Sequence, residues 1–353
     1  MDRERISEFN TFFAAAILHE PFDYQRRLAG GDHGRAAESL LIHIPTGLGK
    51  TAAVVLAWLW NSVVLPNQSK CDRWPRRLVY CLPMRVLVEQ TVEQAREWIS
   101  ALKLPVGVAS LMGGEVEEDW EIYPERPYII VGTQDMLFSR ALNRGYAMSR
   151  YRWPVHFGLL NNDCLWVCDE VQLMGDGLAT SAQLAAFRER FGTFKNCPTI
   201  WMSATIDSKM LHTVDMPDAP VPFELLKEDF AREDLNRRLT APKQLEKAPD
   251  DCNTAPGLAR FLTERHRPGT QTIAVVNTVA RAREVFDQVR KLMGSDAPCH
   301  LLHSRFRPCE KQLWGELLKS KIPGEGRILI ATQVSRRARR NNSNCSGRRA
   351  VSR

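Results

Sequence analysis

The sequence lacks the features that would assign the chain to a membrane or to the secretory pathway. Its 353 residues contain no run of about 18 uncharged apolar residues, the shortest length typical of a transmembrane helix. The N-terminal residues MDRER carry charges of both signs and form no signal-peptide core. The nine cysteines are scattered and odd in number, which is typical of proteins kept in a reducing compartment. We therefore expect a cytoplasmic protein with no membrane partner.

The sequence also lacks paired metal-binding motifs. Cys164 and Cys168 lie in a predicted strand, where four residues span roughly 13 Å, too far for one zinc ion to bridge. Cys299, His300 and His303 are close together in sequence, but no second ligand pair with zinc spacing follows them. We expect all five side chains to serve packing.

The chain has little net charge outside its last residues. A net charge of +7 would normally indicate a nucleic-acid partner. However, residues 335–353 contain seven arginines and no acidic residue. Removing these seven from the 48 basic residues leaves 41, equal to the 41 acidic residues. A nucleic-acid function must therefore be argued from motifs rather than from overall charge.

Short apolar runs alternate with amphipathic stretches between residues 40 and 206, a pattern typical of an α/β domain with a parallel sheet. The predicted strands are 40–44, 77–82, 128–132, 164–168 and 199–202. The predicted helices between them are 52–64, 85–102, 134–143 and 180–191. Most polar motif residues follow a strand, where open α/β sheets bind ligands.

A second α/β pattern follows a polar, proline-rich connection. Its predicted strands are 272–277, 298–303 and 327–332, and its predicted helices are 280–293 and 308–319. The last residues have high polarity and no periodicity, which predicts a disordered tail. The predicted organisation is a first lobe 1–214, a linker 215–255, a partial second lobe 256–334 and a basic tail 335–353.

The segment 44–51, IPTGLGKT, has the composition of a phosphate-binding loop. Its glycines let backbone N–H groups surround phosphate oxygens, Lys50 can reach the β- and γ-phosphates, and the Thr51 hydroxyl can bind Mg²⁺. Ile44 stands where the full motif has its first glycine, and a lone Gly-x-Gly-Lys-Thr can occur by chance in a loop.

A second segment, 165–170 with the sequence LWVCDE, argues against a chance occurrence of the phosphate-binding pattern. It is an apolar strand that ends in two carboxylates, one suited to bind the metal and one suited to polarise a water molecule. In this order and at this spacing, the two segments predict hydrolysis of a nucleoside triphosphate.

These two segments belong to a longer ordered series of motifs. The series is Gln25, 45–51, 83–85, 113–114, 133–135, 169–172, 203–205, 276–278, 302–306 and 331–333. It resembles the motif series of a superfamily 2 DExH-type helicase. The motif residues are most similar to those of the CRISPR-associated helicase-nuclease of type I interference, in the variant with an N-terminal helicase. The likeness covers residues 17–334 and implies a RecA-like parallel-sheet lobe followed by an incomplete second RecA-like lobe.

The resemblance implies an ATP site with Mg²⁺. Nucleotide contacts would come from Gln25, Thr46, Gly47, Gly49, Lys50 and Thr51, and the metal would be held by Thr51 and Asp169. Lys50, Asp169, Glu170 and Gln172 would be catalytic, with Ser203 and Thr205 coupling hydrolysis to movement. Gln25 would read adenine, although it could also be an ordinary surface residue. Gln172 replaces the usual histidine and could contact either the γ-phosphate region or the loop 203–205.

The resemblance also implies single-stranded DNA and a CRISPR effector complex as partners. The residues placed along the strand's phosphates are Arg85, Gly114, Thr133, Asn277, Thr278, His303, Arg305 and Thr332. The five from the second lobe could equally be ordinary strand-end caps and turns. Because none of them reads base identity in the family, we expect sequence-independent, salt-sensitive contact.

The chain departs from the family after residue 334. A Glu-Ala-Gly segment and a motif with arginine fingers are expected there, but SRRA stands at 335–338. One frameshift with suitable codons would convert these residues into the missing segment. None of the eight histidines is followed by aspartate, so the family's His-Asp nuclease motif is not found either. We therefore expect a truncated chain that binds ATP but hydrolyses it slowly, because arginine fingers contribute about 10³–10⁵ in rate.

Two other functions fit the same residues. One is a non-catalytic remnant that binds ATP or DNA. The other is a superfamily 2 helicase of DNA repair or RNA metabolism.

Overall fold

The computed structural model describes the greater part of the chain. The described residues are 2–30, 37–65, 74–113, 115–116, 119–146, 148–205, 207–218, 220, 222–241, 244–294, 298–303, 305–307, 310, 314, 317, 320–332 and 349–351. They divide into a first unit, Met1–Asn236, and a second unit, Arg237–Arg353.

The first unit contains an eight-stranded sheet in its described residues, in the order β4-β3-β5-β2-β6-β7-β1-β8. Its strands are β1 Leu40–His43, β2 Arg77–Leu82, β3 Gly107–Met112, β4 Glu115–Val116, β5 Tyr128–Thr133, β6 Cys164–Asp169, β7 Thr199–Ser203 and β8 Pro222–Phe223. All neighbouring pairs are parallel except β3 and β4. The central strands are buried along their whole length, which explains their continuous apolar sequences.

The helices of this unit connect those strands. They are α1 Asp2–Ile17, α2 Asp23–Ala29, α3 Lys50–Leu59, α4 Arg85–Leu102, α5 Asp119–Ile122, α6 Gln134–Ala141, α7 Trp153–Asn161 and α8 Asp176–Phe191. A π-helical turn, Trp60–Val64, extends α3. Gly132 lets β5 approach β3, because a Cβ there would lie 2.8 Å from the Leu111 carbonyl oxygen.

The second unit is built around a three-stranded parallel sheet in the order β10-β12-β11. Its strands are β9 Leu245–Lys247, β10 Gln271–Val276, β11 Cys299–Leu302, β12 Arg327–Thr332 and β13 Arg349–Val351. Its helices are α10 Ala255–Arg265 and α11 Val279–Met293, while α9 Glu233–Thr240 contains the division between the units. A buried cluster under α10 and α11 includes Leu258, Val285 and Ile328.

The structure confirms the predicted α/β class with parallel sheets. Every predicted strand is present, as β1, β2, β5, β6 and β7 in the first unit and β10, β11 and β12 in the second. The helix predicted at 308–319 falls largely on residues outside those described. Of the predicted tail, Arg349–Val351 form β13, which pairs in parallel with β9, and the other tail residues also lie outside the described set.

The segment predicted as a linker begins on the first unit. Within it, β8 pairs with β1, and the carboxylate of Asp229, almost fully buried, forms an ion pair of 3.2 Å with Arg27 of α2. Arg27 also donates to the Glu224 carbonyl oxygen at 2.7 Å, and Arg232 donates to the Pro21 carbonyl oxygen at 2.6 Å. These long-range contacts hold residues 222–232 against α2 and β1.

Within the described part of the chain, no helix is both long and apolar enough to cross a membrane. Among the same residues, no group of three or more His, Cys, Asp or Glu side chains is placed to hold a metal ion. Cys164 and Cys168 are fully buried in the apolar core of the first unit.

Candidate functional site

The predicted phosphate-binding loop connects β1 to the first turn of α3. Gly47 and Gly49 have φ angles of +90° and +79°, a backbone conformation that favours glycine. Lys50 begins α3 and donates from Nζ to the Ile44 carbonyl oxygen at 2.8 Å. The ammonium group is therefore folded back over the loop, whose backbone opens a helix N-terminus suited to anions. Thr46 is exposed in this loop, and Thr51 is half-buried at the second residue of α3.

Gln25 and Tyr24 of α2 contact backbone carbonyl oxygens of the loop. Gln25 Nε2 lies 3.2 Å from the Gly49 carbonyl oxygen, and Gln25 Oε1 accepts the backbone N–H of Phe22 at 2.8 Å. Tyr24 donates its hydroxyl to the Leu48 carbonyl oxygen at 2.6 Å, and burial raises the pKa of Tyr24, so it remains a donor. Gln25 is only 3% exposed, so it is not the ordinary surface residue that the sequence left open. Its role as adenine reader stays a prediction.

Asp169 closes β6 and is held at both carboxylate oxygens. Oδ2 accepts the hydroxyl of Tyr80 from the neighbouring strand β2 at 2.8 Å. Oδ1 accepts the backbone N–H of Glu170 at 2.8 Å. Asp169 is 3% exposed, so the orientation of its carboxylate is fixed by these donors rather than by solvent.

A chain of hydrogen bonds runs from Glu170 to the loop after β7. Glu170 has φ +56°, a left-handed turn that directs the residues after it. Gln172 donates from Nε2 to Glu170 Oε2 at 2.6 Å and accepts the Ser203 hydroxyl at Oε1 at 2.8 Å. Ser203 Oγ in turn accepts the backbone N–H of Thr205 at 3.1 Å. Of the two partners left open for Gln172, the described contacts are with the 203–205 loop.

The sheet explains why these motifs meet. β7 lies between β1 and β6, so that His43 is in register with Ser203, and Asp169 with Met202. The loops that follow the three strands therefore leave the same edge of the sheet. The structure brings together Lys50, Asp169, Glu170, Gln172 and Ser203 at this edge, as expected for an open α/β sheet.

The residues present fit Mg²⁺. Asp169 supplies a buried carboxylate and Thr51 a hydroxyl, which are the hard oxygen ligands that Mg²⁺ prefers. Mg²⁺ usually needs one or two carboxylates and completes its shell with phosphate and water, so a larger acidic cluster is unnecessary.

Two of the predicted nucleic-acid residues of the first unit follow neighbouring strands. Arg85 is exposed at the start of α4, and a Cβ on Gly113 would overlap its Nη2, so the guanidinium rests against that glycine. Thr133 ends β5, is in register with Leu82 of β2, and is 7% exposed. Gly114 lies outside the described residues. The structure thus places Arg85 and Thr133 at adjacent strand ends.

The predicted residues of the second unit also share one sheet edge. Val276 of β10 is in register with Thr332 of β12, and Leu302 of β11 with Ala331. Asn277 and Thr278 follow β10 and are exposed, whereas Thr332 is buried. Thr278 Oγ1 accepts the backbone N–H of Arg281 at 3.2 Å, which makes it the N-cap of α11.

His303 and Arg305 differ in charge. The His303 ring stacks on Phe306 with a centroid distance of 4.2 Å and an interplanar angle of 11°. Burial lowers the pKa of His303, and the nearby Arg283 and Arg305 lower it further. His303 is therefore neutral near pH 7, and the exposed Arg305 is the cation of the two.

Sequence reasoning missed Tyr24 and Tyr80. Tyr24 is next to the motif residue Gln25, and that proximity was the one available signal. Tyr80 lies within a buried apolar strand, where an aromatic residue normally indicates packing. Its hydroxyl reaches Asp169 only because β2 and β6 are neighbours in the sheet, a fact that the sequence does not state.

Comparison with protein families gives two matches along the chain. Residues 31–214, more than half of the chain, match the DEAD/DEAH box helicase family. Residues 268–339 match the C-terminal family of the CRISPR-associated nuclease/helicase Cas3. A curated relative, the CRISPR-associated helicase Cas3 of Thermoproteus tenax, is 26% identical over 306 residues, covering 84% of this chain and 48% of the relative. The chain therefore spans about half the length of this relative.

Solved helicase structures share the fold. The helicase MrfA bound to DNA aligns with a TM-score of 0.60 at 17% identity, covering 91% of this chain and 41% of MrfA. Mss116p bound to ssRNA and AMP-PNP has a TM-score of 0.60 at 17% identity, with 93% and 64% covered. The Mycobacterium smegmatis helicase Lhr bound to ssDNA and AMP-PNP has a TM-score of 0.60 at 16% identity, with 92% and 41% covered.

These matches confirm the RecA-like architecture and the resemblance that the motif order predicted. The two family matches occur in the order expected of a superfamily 2 helicase of the CRISPR-associated kind. The chain belongs to the DEAD/DEAH box helicase family.

Proposed function

We propose that the chain binds ATP with Mg²⁺, hydrolyses it, and uses it to move on single-stranded DNA in CRISPR defence. The observation that carries the proposal is the hydrogen-bonded series Glu170–Gln172–Ser203–Thr205 at the strand edge that also carries Lys50 and Asp169. A chance phosphate-like loop would not be accompanied by a carboxylate held in this way.

The residues divide the chemistry among them. Lys50 would exchange the Ile44 carbonyl for the β- and γ-phosphates, since its ammonium is already folded over the loop. Asp169 and Thr51 would hold Mg²⁺, which neutralises phosphate charge when bound. Glu170 would orient or deprotonate the attacking water, and Gln172 keeps its carboxylate in place.

The same hydrogen bonds suggest how hydrolysis is coupled to movement. Gln172 contacts both the catalytic carboxylate and Ser203, so a shift of Glu170 on loss of the γ-phosphate would pull on the loop after β7. Ser203 is itself fixed by the Thr205 N–H. Ser203 and Thr205 therefore act as coupling residues in this proposal.

DNA is favoured over RNA as the track. MrfA and Lhr were solved bound to DNA, whereas Mss116p was solved bound to RNA, so the fold alone leaves both open. The match of residues 268–339 to the Cas3 C-terminal family favours the CRISPR-associated choice. Arg85, Thr133 and Arg305 would donate to phosphates of the strand, which gives sequence-independent binding in this proposal. We extend the proposal to a CRISPR effector complex as partner.

Binding and turnover can be tested separately. Glu170→Gln should retain affinity for a fluorescent ATP analogue but lose at least about 100-fold in phosphate release, because it removes the charge that acts on water. Lys50→Ala should lose nucleotide affinity itself. Both are measured with Mg²⁺, alone and with single-stranded DNA or RNA of one sequence. Stimulation by RNA but not by DNA would contradict the proposed track.

The same measurements address a nucleotide-binding protein without turnover. Tight Lys50-dependent binding without phosphate release would identify this second function. Loss of neither binding nor turnover in Lys50→Ala would refute both.

A further inference from the structure

Tyr80 is a buried polar side chain in the middle of β2 whose hydroxyl meets the proposed metal ligand. The side chain is fully buried, and its hydroxyl donates to Asp169 Oδ2 at 2.8 Å. This bond joins two strands, β2 and β6, which are buried along their whole length. An isolated hydroxyl in such a core is costly unless it is paired, so the pairing with Asp169 needs a physical account.

The register of the strands shows why a tyrosine is required. Tyr80 is opposite Val167, and Asp169 follows Val167 by two residues on the same face of β6. Two residues of a strand cover about 6.6 Å, which a phenol can span and a serine or threonine cannot. Tyr80 thus reaches along the sheet to its functional edge from a position inside the core.

The contact fixes the carboxylate without changing its charge. A phenol is a neutral donor, so Asp169 keeps the negative charge that Mg²⁺ needs. The Glu170 N–H holds the other oxygen at 2.8 Å, so the two donors together restrict rotation of the carboxylate. Outer donors of this kind orient metal ligands, and their loss typically costs about 10–100-fold in metal affinity.

We propose that Tyr80 is a positioning residue for Mg²⁺, which orients Asp169 for the metal that accompanies the nucleotide. The inference rests on the proposed function, in which Asp169 is a metal ligand. Tyr80 touches neither nucleotide nor metal in this role and acts through the carboxylate alone.

Tyr80→Phe tests the proposal because it removes one oxygen atom and keeps the ring. The probe is a fluorescent ADP analogue titrated with Mg²⁺, repeated without metal in EDTA, and supported by direct Mn²⁺ titration in electron paramagnetic resonance. The metal concentration for half-maximal binding should rise about tenfold, while metal-free nucleotide affinity should be unchanged. Tyr128→Phe, which alters the N-terminal end of neighbouring β5, is the matched control and should leave the metal midpoint unchanged.

A double-substitution cycle separates positioning from packing. With Asp169→Asn already present, adding Tyr80→Phe should leave the metal midpoint where it is, because the carboxylate to be oriented is gone. A metal midpoint within twofold of the parent in Tyr80→Phe overturns the inference. So does an equal loss of affinity with and without metal, together with a lower melting temperature, because that pattern is structural. A parent chain without Mg²⁺-dependent binding would overturn the proposed function as well.

Discussion

The two sheet edges that carry motif residues differ in how those residues are held. At the edge of the first unit, Glu170, Gln172 and Ser203 are bonded to one another, and Asp169 is bonded to Tyr80. At the edge of the second unit, the candidates share a strand end but bond locally, as Thr278 does to its own helix. The polar groups of the first edge are preorganised, as the proposed catalytic role requires. The second has the looser form expected of a surface that follows a flexible strand.

The difference shows at which edge the position of a residue in a motif indicates a functional role. In the first unit, residues distant in sequence meet through side chains, so that their types are mutually constrained. In the second unit, a threonine at the same position would be needed as a helix cap with or without a ligand. Substitutions should therefore have specific functional effects at the first edge and smaller, mainly structural effects at part of the second.

Among the substitutions that compare the two edges, Gln172→Ala should have the largest effect. It removes the donor to the Glu170 carboxylate, and hydrogen bonds to charged groups contribute about 1.5–3 kcal/mol, equivalent to roughly 10–100-fold in turnover. ATP affinity should change less than threefold or so, because Gln172 bonds to Glu170 and Ser203 rather than to the phosphate loop. Gln183→Ala on α8, which removes an amide donor to Asp215, is the control, and steady-state phosphate release is the measurement. An affinity loss equal to the turnover loss would show that Gln172 serves binding.

An intermediate effect is expected from two glycine substitutions that share a backbone conformation. Gly49 and Gly269 have φ angles of +79° and +70°, so alanine at either should cost about 1–2 kcal/mol of unfolding free energy. A Cβ on Gly49 would also meet Gln25 Nε2 at 3.0 Å, whereas a Cβ on Gly269 meets nothing within 4 Å. We expect Gly49→Ala to weaken nucleotide binding about tenfold, which corresponds to a loss of about 1.4 kcal/mol of binding free energy. Gly269→Ala should leave the nucleotide affinity unchanged. Equal affinities by fluorescence titration would show that the Gln25 support is dispensable.

The smallest effect concerns Thr278 and tests the interpretation of the second edge. Thr278→Ala should lower the unfolding free energy by about 1 kcal/mol through loss of the α11 cap. Thr254→Ala is the matched control. Thr254 Oγ1 caps α10 by accepting the Gly257 N–H at the same distance, 3.2 Å, and Thr254 is not a nucleic-acid candidate. Chemical denaturation should give similar losses for both.

DNA binding then separates a cap from a phosphate contact. Arg305→Ala should weaken single-stranded DNA binding severalfold, because a cation is lost. The slope of the logarithm of the binding constant against the logarithm of the salt concentration should fall in magnitude by about one. Thr278→Ala should leave both unchanged if it is only a cap. A loss comparable to that of Arg305→Ala, restored by Thr278→Ser, would instead assign it to the strand.

Much of the fold could be predicted because the motif-bearing strands are continuous apolar runs between clear helices. β3 was missed because its sequence, GVASLM, mixes small and polar residues with only a short apolar pattern. β8 was missed because Pro222 and Phe223 lie in a proline-rich stretch and become a strand only by pairing with β1, far away in sequence. Such pairing is a tertiary effect that local patterns do not contain.

The candidate site was predictable in its residue types but not in its bonds. The sequence could propose Gln172 as a functional residue and left two partners open. The contacts of Gln172 with Glu170 and Ser203 follow from the left-handed turn at Glu170 and the adjacency of β6 and β7. Tyr80 could not be predicted at all, because its role depends on the register between β2 and β6.

The contacts made by residues 222–232 bear on how the protein can be dissected. A fragment ending at residue 214 would leave β1, the strand that carries the phosphate loop, as an exposed sheet edge open to aggregation. It would also remove the buried Asp229 from Arg27 and the Phe223 ring that Arg27 covers at 4.9 Å. An autonomous first unit should therefore include the chain through Asn236, so that the nucleotide-binding strand retains its natural neighbour.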